Sequence, residues 1–255
     1  FAVEHGIPVL QPAKISLEAE KLREFNPDII VTCAFGQILR QNVLDAAPHG
    51  VINVHGSLLP KYRGAAPVQW AVINGDKTTG VSILQTELGL DCGPVICTSS
   101  MEIEPTCTAG ELLHAMVPCA VEALLKALKQ IENGTAKFEP QAHERATVAP
   151  MLNKAMAKID WHKSADEIMN LVRGLNPWPV AYFCLNGEPV KVYRATPVSI
   201  KAEPGAVIQC NARNGLVIGC GKGGLRIDSL QLSGKKVISG KDFCNGRNLQ
   251  GMVLA

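Results

Sequence analysis

Two short apolar runs, at residues 28–33 and 51–54, constrain the fold of this chain more than any other feature. Both are dominated by Ile and Val and bounded by Pro or Gly, which is typical of buried strands in a parallel sheet. The segment between them, 38–47, predicts a helix that ends at Pro48. The alternation continues, with a helix at 65–73 and strands at 80–86 and 94–99. This order predicts an α/β fold with a Rossmann-like, mostly parallel sheet.

A long amphipathic helix closes this first region. Residues 108–111 have the Thr-x-x-Glu pattern of a capping box, and apolar residues recur at helical spacing over 112–128. Pro118 is expected to kink the helix because proline lacks a backbone N–H. We assign residues 1–140 to one domain and the irregular stretch 141–156 to a linker.

The pattern changes in the C-terminal part of the chain. Asn186-Gly187 lies between two apolar runs and predicts a β-hairpin. Further short strands with turn residues between them are predicted at 207–210, 215–219 and 225–232. Such a series is typical of a small barrel. We therefore predict that residues 157–255 form a second domain, an OB-like β-barrel.

Residues 219–224 satisfy the G-x-G-x-x-G pattern of dinucleotide-binding loops. That pattern indicates a nucleotide site only when a helix follows it directly. Residues 225–232 instead alternate with the period of a strand. We therefore interpret the glycines as the turn of a second hairpin.

Composition limits the classes of protein that remain. Hydrophobic residues make up 47% of the 255-residue chain, yet no apolar run reaches 18 residues, so no transmembrane helix is expected. The N-terminus lacks the basic start of a signal peptide. Nine cysteines without C-x-x-C spacing indicate reduced packing thiols rather than zinc ligands, as in a cytoplasmic protein.

Charge is distributed unevenly along the chain. Residues 185–255 contain ten Lys and Arg against four Asp and Glu, leaving 15 basic and 19 acidic residues before them. A basic C-terminal module suggests a polyanionic partner, while a solubilising surface is an equally good interpretation of the same charges.

Three polar residues, Asn53, His55 and Asp91, lie at positions where a ligand is expected to bind. Asn53 and His55 are two residues apart at the end of a predicted strand, so their side chains share one face. In open α/β sheets, ligands bind beyond the carboxyl ends of the strands. Asp91 lies in a glycine-rich loop between two later strands. Taken singly, a His is usually a surface or core residue and an Asp beside Gly a turn residue. One imidazole and one carboxylate are too few for a metal site, so no metal is expected.

The combination is more specific than its parts. Asn53-Val-His55, then Ser-Leu-Leu-Pro at 57–60, then Gly-Leu-Asp-Cys-Gly at 89–93 resembles the 10-formyltetrahydrofolate-dependent formyltransferases. The resemblance implies that Asn53, His55 and Asp91 are catalytic and that 10-formyltetrahydrofolate is the co-substrate. It also implies that the folate is contacted by Ser57, Leu58, Leu59, Pro60, Leu88, Gly89 and Leu90.

Other segments resemble the methionyl-tRNA branch of that family. They are 62–70, 159–161, 175–179 and 190–193. The resemblance then implies a methionyl initiator tRNA as partner, contacted by the C-terminal domain. We also expect the enzyme to be a monomer. Arg63, just after the folate loop, is expected to position the tRNA substrate. Two alternatives stay open: a formyltransferase for a sugar or nucleotide amine, and an inactive RNA-binding fragment.

Family members begin with a strand and a Gly-Thr-Pro-type turn, and this sequence begins after that point. The resemblance therefore implies a catalytic domain that lacks its N-terminal part. The first strand of such a domain is central to the sheet. We expect the strand at 28–33 to lack a neighbour on one side, which leaves backbone groups unpaired.

The expected chemistry is acyl transfer to an amine. The amine attacks the formyl carbon, a tetrahedral oxyanion forms, and the folate nitrogen leaves. Asp91 is expected to orient the amine and take its proton. Asn53 and His55 are expected to donate hydrogen bonds to the oxyanion.

Overall fold

The computed structural model describes residues 1–254, which form two compact units. The first unit comprises residues 1–65, 80–99 and 118–148, and the second comprises 66–79, 100–117 and 149 onward. Each unit thus collects segments that are distant in sequence. The linear division into domains at 1–140 and 157–255 remains a prediction.

The described residues contain six α-helices and ten strands. In chain order they are α1 (Ala19–Arg23), β1 (Ile30–Cys33), α2 (Gln41–Leu44), β2 (Val51–His55), α3 (Pro67–Ile73), β3 (Thr78–Gln85), β4 (Val95–Glu102), α4 (Ala109–Glu132), α5 (Ala165–Gly174), β5 (Tyr182–Leu185), β6 (Glu188–Val198), β7 (Val207–Asn211), β8 (Gly215–Gly219), β9 (Gly224–Leu232), β10 (Val237–Ser239) and α6 (Gly240–Cys244).

The sheet of the first unit is mixed. Its order is β1-β2-β3-β4, with β1 parallel to β2 and β2 antiparallel to β3. The expectation of a mostly parallel sheet is therefore wrong. Strand–helix alternation predicts parallel pairing only when the helix packs back over the same sheet. Here α3 packs against α5 in the second unit, so it does not serve as a crossover helix for this sheet.

Strand β1 lies at an edge of the sheet, as expected for the segment 28–33. Its register with β2 pairs Ile30 with Val51 and Thr32 with Asn53. Its alternate residues Val31 and Cys33 are exposed. The β1–β2 register is what brings Thr32 beside the polar end of β2.

The helix predicted at 38–47 is reduced to the single turn α2. Arg40, directly before α2, is extended with φ −94° and ψ 169°, and the side chain of the nearby Gln37 is bonded away from the helix. The amide of Gln37 donates to the carbonyl of Pro12 at 3.1 Å, and its oxygen accepts the backbone N–H of Ile15 at 2.8 Å. These bonds hold the preceding stretch against the N-terminal segment, and the helix begins only at Gln41.

Helix α4 begins as predicted from its capping box. The Thr108 hydroxyl accepts the N–H of Glu111 at 3.2 Å, and the Glu111 carboxylate accepts the Thr108 N–H at 2.8 Å. The helix continues to Glu132 without interruption at Pro118. The two reciprocal bonds satisfy donors that the first turn would otherwise leave unpaired.

The second unit is built on an antiparallel sheet of six strands, ordered β5-β6-β9-β8-β7, with β10 paired to β9. Both predicted hairpins are confirmed: residues 186–187 join β5 to β6, and the glycine-rich 220–223 joins β8 to β9. The core of this unit includes Trp161, Phe183 and Phe243, all buried. The short elements β10 and α6 were not foreseen.

Candidate active site

Strand β2 presents two of the predicted residues at its carboxyl end. Asn53 pairs across the sheet with Thr32 on β1 and with Leu84 on β3. The Thr32 hydroxyl lies 3.0 Å from Oδ1 of Asn53. Because Oδ1 can only accept, this bond turns the amide nitrogen of Asn53 away from β1 and toward Asp91.

His55 is buried, with 5% of its side chain exposed, and its ring is engaged on both sides. Nε2 lies 2.8 Å from the carbonyl oxygen of Tyr62. A carbonyl only accepts, so Nε2 carries a hydrogen. Nδ1 lies 3.5 Å from Oδ2 of Asp91. The ring is thus held in one orientation, with its second nitrogen toward the carboxylate.

Asp91 lies between these groups and a backbone donor. Its Oδ2 accepts the N–H of Gly64 at 2.8 Å, and its Oδ1 lies 3.5 Å from Nδ2 of Asn53. Asp91 has a φ of +45°, a left-handed conformation that Asp tolerates better than most residues. The structure therefore brings Asn53, His55 and Asp91 together as the sequence predicts, while their catalytic roles stay a prediction.

A layer of side chains behind Asp91 holds its loop. The amide nitrogen of Gln141 donates to the carbonyl oxygens of Asp91 and Gly93 at 2.8 and 2.7 Å. The amide oxygen of Gln141 accepts from Nε and Nη2 of Arg63 at 3.0 and 2.7 Å. Arg63, predicted to contact substrate, is thus linked through Gln141 to the loop that carries Asp91.

The same segment also fixes the backbone next to Gly64. The Thr147 hydroxyl accepts the N–H of Tyr62, and the Thr147 carbonyl accepts the N–H of Arg63, both at 2.8 Å. Sequence reasoning missed Thr32, Gln141 and Thr147. All three act through contacts with residues far away in sequence, which local patterns do not reveal.

The residues predicted to contact folate fall into two groups. Ser57 is fully buried and its hydroxyl donates to the carbonyl of Lys61 at 2.6 Å, while Leu59 donates its N–H to the Ser82 hydroxyl. The segment 57–60 is therefore a tightly bonded loop. Leu88 and Leu90, by contrast, have 63% and 58% of their surface exposed. Folate contact by either group remains a prediction.

An open cleft of about 690 Å³ adjoins the Asp91 loop. It is lined by α2, by the segments 47–51 and 85–88, and by Phe138. Leu88 is one of the lining residues. Thr86 also lines the cleft, and within residues 1–254 its buried Oγ1 has no hydrogen-bond partner. The lining of the cleft is mainly polar and includes Gln41 and Asp45 beside the apolar Leu88.

Among residues 1–254, no group of three or more His, Cys, Asp or Glu side chains is placed to hold a metal ion. In the same range, no helix is both long and apolar enough to cross a membrane. What the site does offer is a carboxylate beside an amide and an imidazole, the groups that acyl transfer to an amine requires.

Comparison with known families covers most of the chain. Residues 13–128 match the formyl transferase family model, and residues 151–248 match the model of the formyl transferase C-terminal domain. The first match contains the whole site from Thr32 to Asp91. Gln141 and Thr147 lie between the two matches.

Individual relatives agree with the family models. The methionyl-tRNA formyltransferase of Acetivibrio thermocellus is 42% identical over 260 residues, covering 100% of this chain and 83% of that protein. HypX from Aquifex aeolicus, solved with tetrahydrofolic acid, has a TM-score of 0.68 at 21% identity, covering 93% of this chain and 41% of HypX. WlaRD, a sugar 3N-formyl transferase, has a TM-score of 0.69 at 20% identity, covering 92% of this chain and 81% of WlaRD. The two structures share the fold, and the family matches and the 42% relative establish that this chain belongs to the formyl transferase family.

Proposed function

We propose that the chain transfers the formyl group of 10-formyltetrahydrofolate to the α-amino group of a methionyl initiator tRNA. The observation that carries the proposal is the position of the Asp91 carboxylate, 2.8 Å from the Gly64 N–H and 3.5 Å from both Asn53 and His55. The 42% identity to a methionyl-tRNA formyltransferase supports the choice of substrate.

Asp91 is the proton acceptor in this proposal. An α-amino group has a reference pKa of about 7.7–8.0, so much of it is protonated at neutral pH and has to lose a proton before it attacks. One oxygen of Asp91 is held by the Gly64 N–H, and the other faces Asn53. A carboxylate fixed in this way can take the proton as the nitrogen–carbon bond forms.

Asn53 is the donor to the oxyanion. Its amide nitrogen carries two hydrogens, so one contact with Asp91 leaves a second for the developing negative charge. Thr32 fixes the direction of the amide through Oδ1. Such preorganisation is what makes a donor effective, because no reorientation is needed during the reaction. His55 lies beside it, with Nε2 directed at the carbonyl oxygen of Tyr62 and Nδ1 3.5 Å from Oδ2 of Asp91.

The cleft beside the Asp91 loop is the proposed folate site. Leu88 and Phe138 supply apolar contacts, and Thr86 supplies a buried hydroxyl that has no hydrogen-bond partner among residues 1–254. A pterin ring is flat and rich in hydrogen-bonding groups, so it suits such a lining. HypX, which shares the fold, was solved with tetrahydrofolic acid. In this proposal the exposed Leu88 and Leu90 cover the bound co-substrate.

The antiparallel sheet of the second unit is the proposed tRNA-binding part, closing into an OB-like barrel. Its segment of the sequence, 185–255, carries ten Lys and Arg against four Asp and Glu, which suits a phosphate backbone. The proposal includes a monomeric enzyme that acts in the cytoplasm, or in an organelle matrix, where translation is initiated.

The test is a formyl-transfer assay with purified protein, formylated folate and charged initiator tRNA. We expect formyl-methionyl-tRNA to form, with no measurable transfer to a nucleotide-linked amino sugar. Uncharged tRNA serves as the control for the amine. Formylation of the amino sugar instead would favour the sugar branch, and tRNA binding without turnover would favour an inactive RNA-binding protein.

A further inference from the structure

Gln141 is the most completely bonded polar side chain around the site. It is buried, with 7% of its surface exposed. Its nitrogen makes two hydrogen bonds, to the carbonyls of Asp91 and Gly93, and its oxygen accepts two from Arg63. An amide has two donor hydrogens and two acceptor positions, so the capacity of this group is fully used.

The four bonds admit only one orientation of the amide. Turning it over would place its oxygen against two carbonyl oxygens and its nitrogen against the guanidinium of Arg63. Both contacts would be repulsive, and four buried bonds would be lost. Gln141 therefore acts as a rigid bridge between Arg63 and the backbone of the Asp91 loop.

Gln141 holds the loop that carries Asp91, the proposed proton acceptor. Asp91 has a φ of +45°, an uncommon backbone conformation that contacts between the loop and its surroundings help to maintain. Gln141 binds the carbonyl of Asp91 itself and that of Gly93, on either side of Cys92. The carboxylate of Asp91 is thereby aimed at Gly64, Asn53 and His55.

We propose that Gln141 is a positioning residue for formyl transfer: it holds the Asp91 carboxylate in place, and Arg63 acts through it. This inference rests on the proposed function of the Asp91 site. It also changes the expectation for Arg63. Two nitrogens of its guanidinium bond to Gln141, and Nη2 also donates to Nδ1 of His143 at 3.2 Å. Removing it should therefore alter kcat through Asp91, whereas a residue that only binds tRNA should alter KM.

A double-mutant cycle tests the inference. The four proteins are wild type, Gln141→Met, Asp91→Asn and the double variant, and the measurement is the steady-state kcat and KM of formyl transfer. Methionine keeps the length of glutamine and removes its hydrogen bonds. We expect Gln141→Met to lower kcat by about 10- to 100-fold in the presence of Asp91, as for misplaced catalytic groups, with KM for both substrates within about twofold. With Asp91→Asn already present, we expect Gln141→Met to lower kcat by less than about threefold.

Gln37 offers a control in the first unit. Its amide oxygen accepts the Ile15 backbone N–H at 2.8 Å, and its amide nitrogen donates to the Pro12 carbonyl at 3.1 Å. Gln37→Met removes two side-chain hydrogen bonds that do not involve Asp91 or Arg63 and should leave kcat unchanged. Turnover by the wild type tests the proposed function, and only the ratios among the variants test the role of Gln141.

A second cycle keeps the test decisive if Gln141→Met does not fold. Arg63→Met removes the bonds to the Gln141 oxygen from a half-buried side chain, and it should lower kcat only while Asp91 is present. An equal loss of kcat with and without Asp91 overturns the inference, in either cycle. So does wild-type kcat in Gln141→Met, or an Arg63 effect confined to KM for tRNA.

Discussion

The backbone N–H of Gly64 donates to Oδ2 of Asp91 across 2.8 Å and so joins the loop after β2 to the loop before β4. Gly64 has a φ of +118°, a conformation that residues with side chains rarely adopt. The site therefore depends on two loops whose backbones are held in unusual conformations. Its geometry is set by the bonds between them as much as by the sheet below.

Gly93 is where the Asp91 loop closes, and we predict that it tolerates no side chain. A Cβ at this position would lie 1.9 Å from the carbonyl oxygen of Gln85, so the backbone would have to move. We expect Gly93→Ala to displace Asp91 and to lower kcat by about 100-fold or more, the usual cost of a misplacement near 1 Å. Steady-state kinetics of formyl transfer measures the effect.

Gly134→Ala is the control that separates the general effect of replacing a glycine from the lack of space at Gly93. Gly134 ends α4 with a φ of +64°, but a Cβ there meets no atom within 4 Å. It should destabilise the protein by about 1 kcal/mol through backbone strain and leave kcat unchanged. Wild-type kcat in Gly93→Ala would show that the loop has room that the structure does not indicate.

Glu111 gives a prediction for stability against pH. Hydrogen bonds from the Thr108 backbone N–H and hydroxyl, with a smaller contribution from Arg194, hold the pKa of Glu111 below the usual glutamate value. A lowered pKa means that the ionised form stabilises the folded state above the unfolded pKa, about 4.3. That stabilisation is lost as the pH falls through the lower, folded pKa.

We therefore expect Glu111→Gln to reduce the free energy of unfolding near pH 7, and the difference from wild type to shrink as the pH falls below about 4.3. Urea unfolding of the wild type and the variant at a series of pH values measures the free energy of unfolding of each protein. A difference that stays constant from pH 7 to pH 3 would mean that the charge of Glu111 does not contribute. Thr108→Ala, which removes the cap from the other side, should cost about 1 kcal/mol.

The basic C-terminal segment predicts a salt-dependent affinity for tRNA. If its Lys and Arg contact phosphates, the logarithm of the binding constant should fall linearly with the logarithm of salt concentration. The exposed pair Lys235 and Lys236 provides the variant. Changing both to Gln should reduce the slope by about 2, roughly 1 per contact. Filter binding at 50 to 200 mM salt measures it, and a flat response would favour a solubilising surface.

The fold was predictable where local patterns decide it. The capping box of Thr108 and Glu111 and the turn at Asn186-Gly187 are local signals, and both are confirmed. The direction of β3 was not predictable, because it depends on where α3 packs. The late start of α2 was not predictable either, since Arg40 is extended and Gln37 is bonded to the distant Pro12.

Part of the candidate site was also predictable from the sequence. Asn53 and His55 share a strand face by simple periodicity, and the resemblance to a family added Asp91. Gln141 lies in a polar stretch that resembles a linker, and its contact with Asp91 joins residues 50 positions apart. No local pattern marks such a residue, because its role comes from the folded backbone that it meets.

The central claim is that Asp91 acts in the transition state, and the measurement that tests it most directly is the kinetics of Asp91→Asn. Asparagine keeps the shape and suits the left-handed conformation, but it removes the charge and the proton acceptor. We predict that kcat falls by about 10²- to 10⁴-fold with little change in KM for either substrate. If Asp91 only shapes its loop, Asn should be tolerated there, and turnover near the wild-type rate in a folded Asp91→Asn protein would contradict the account.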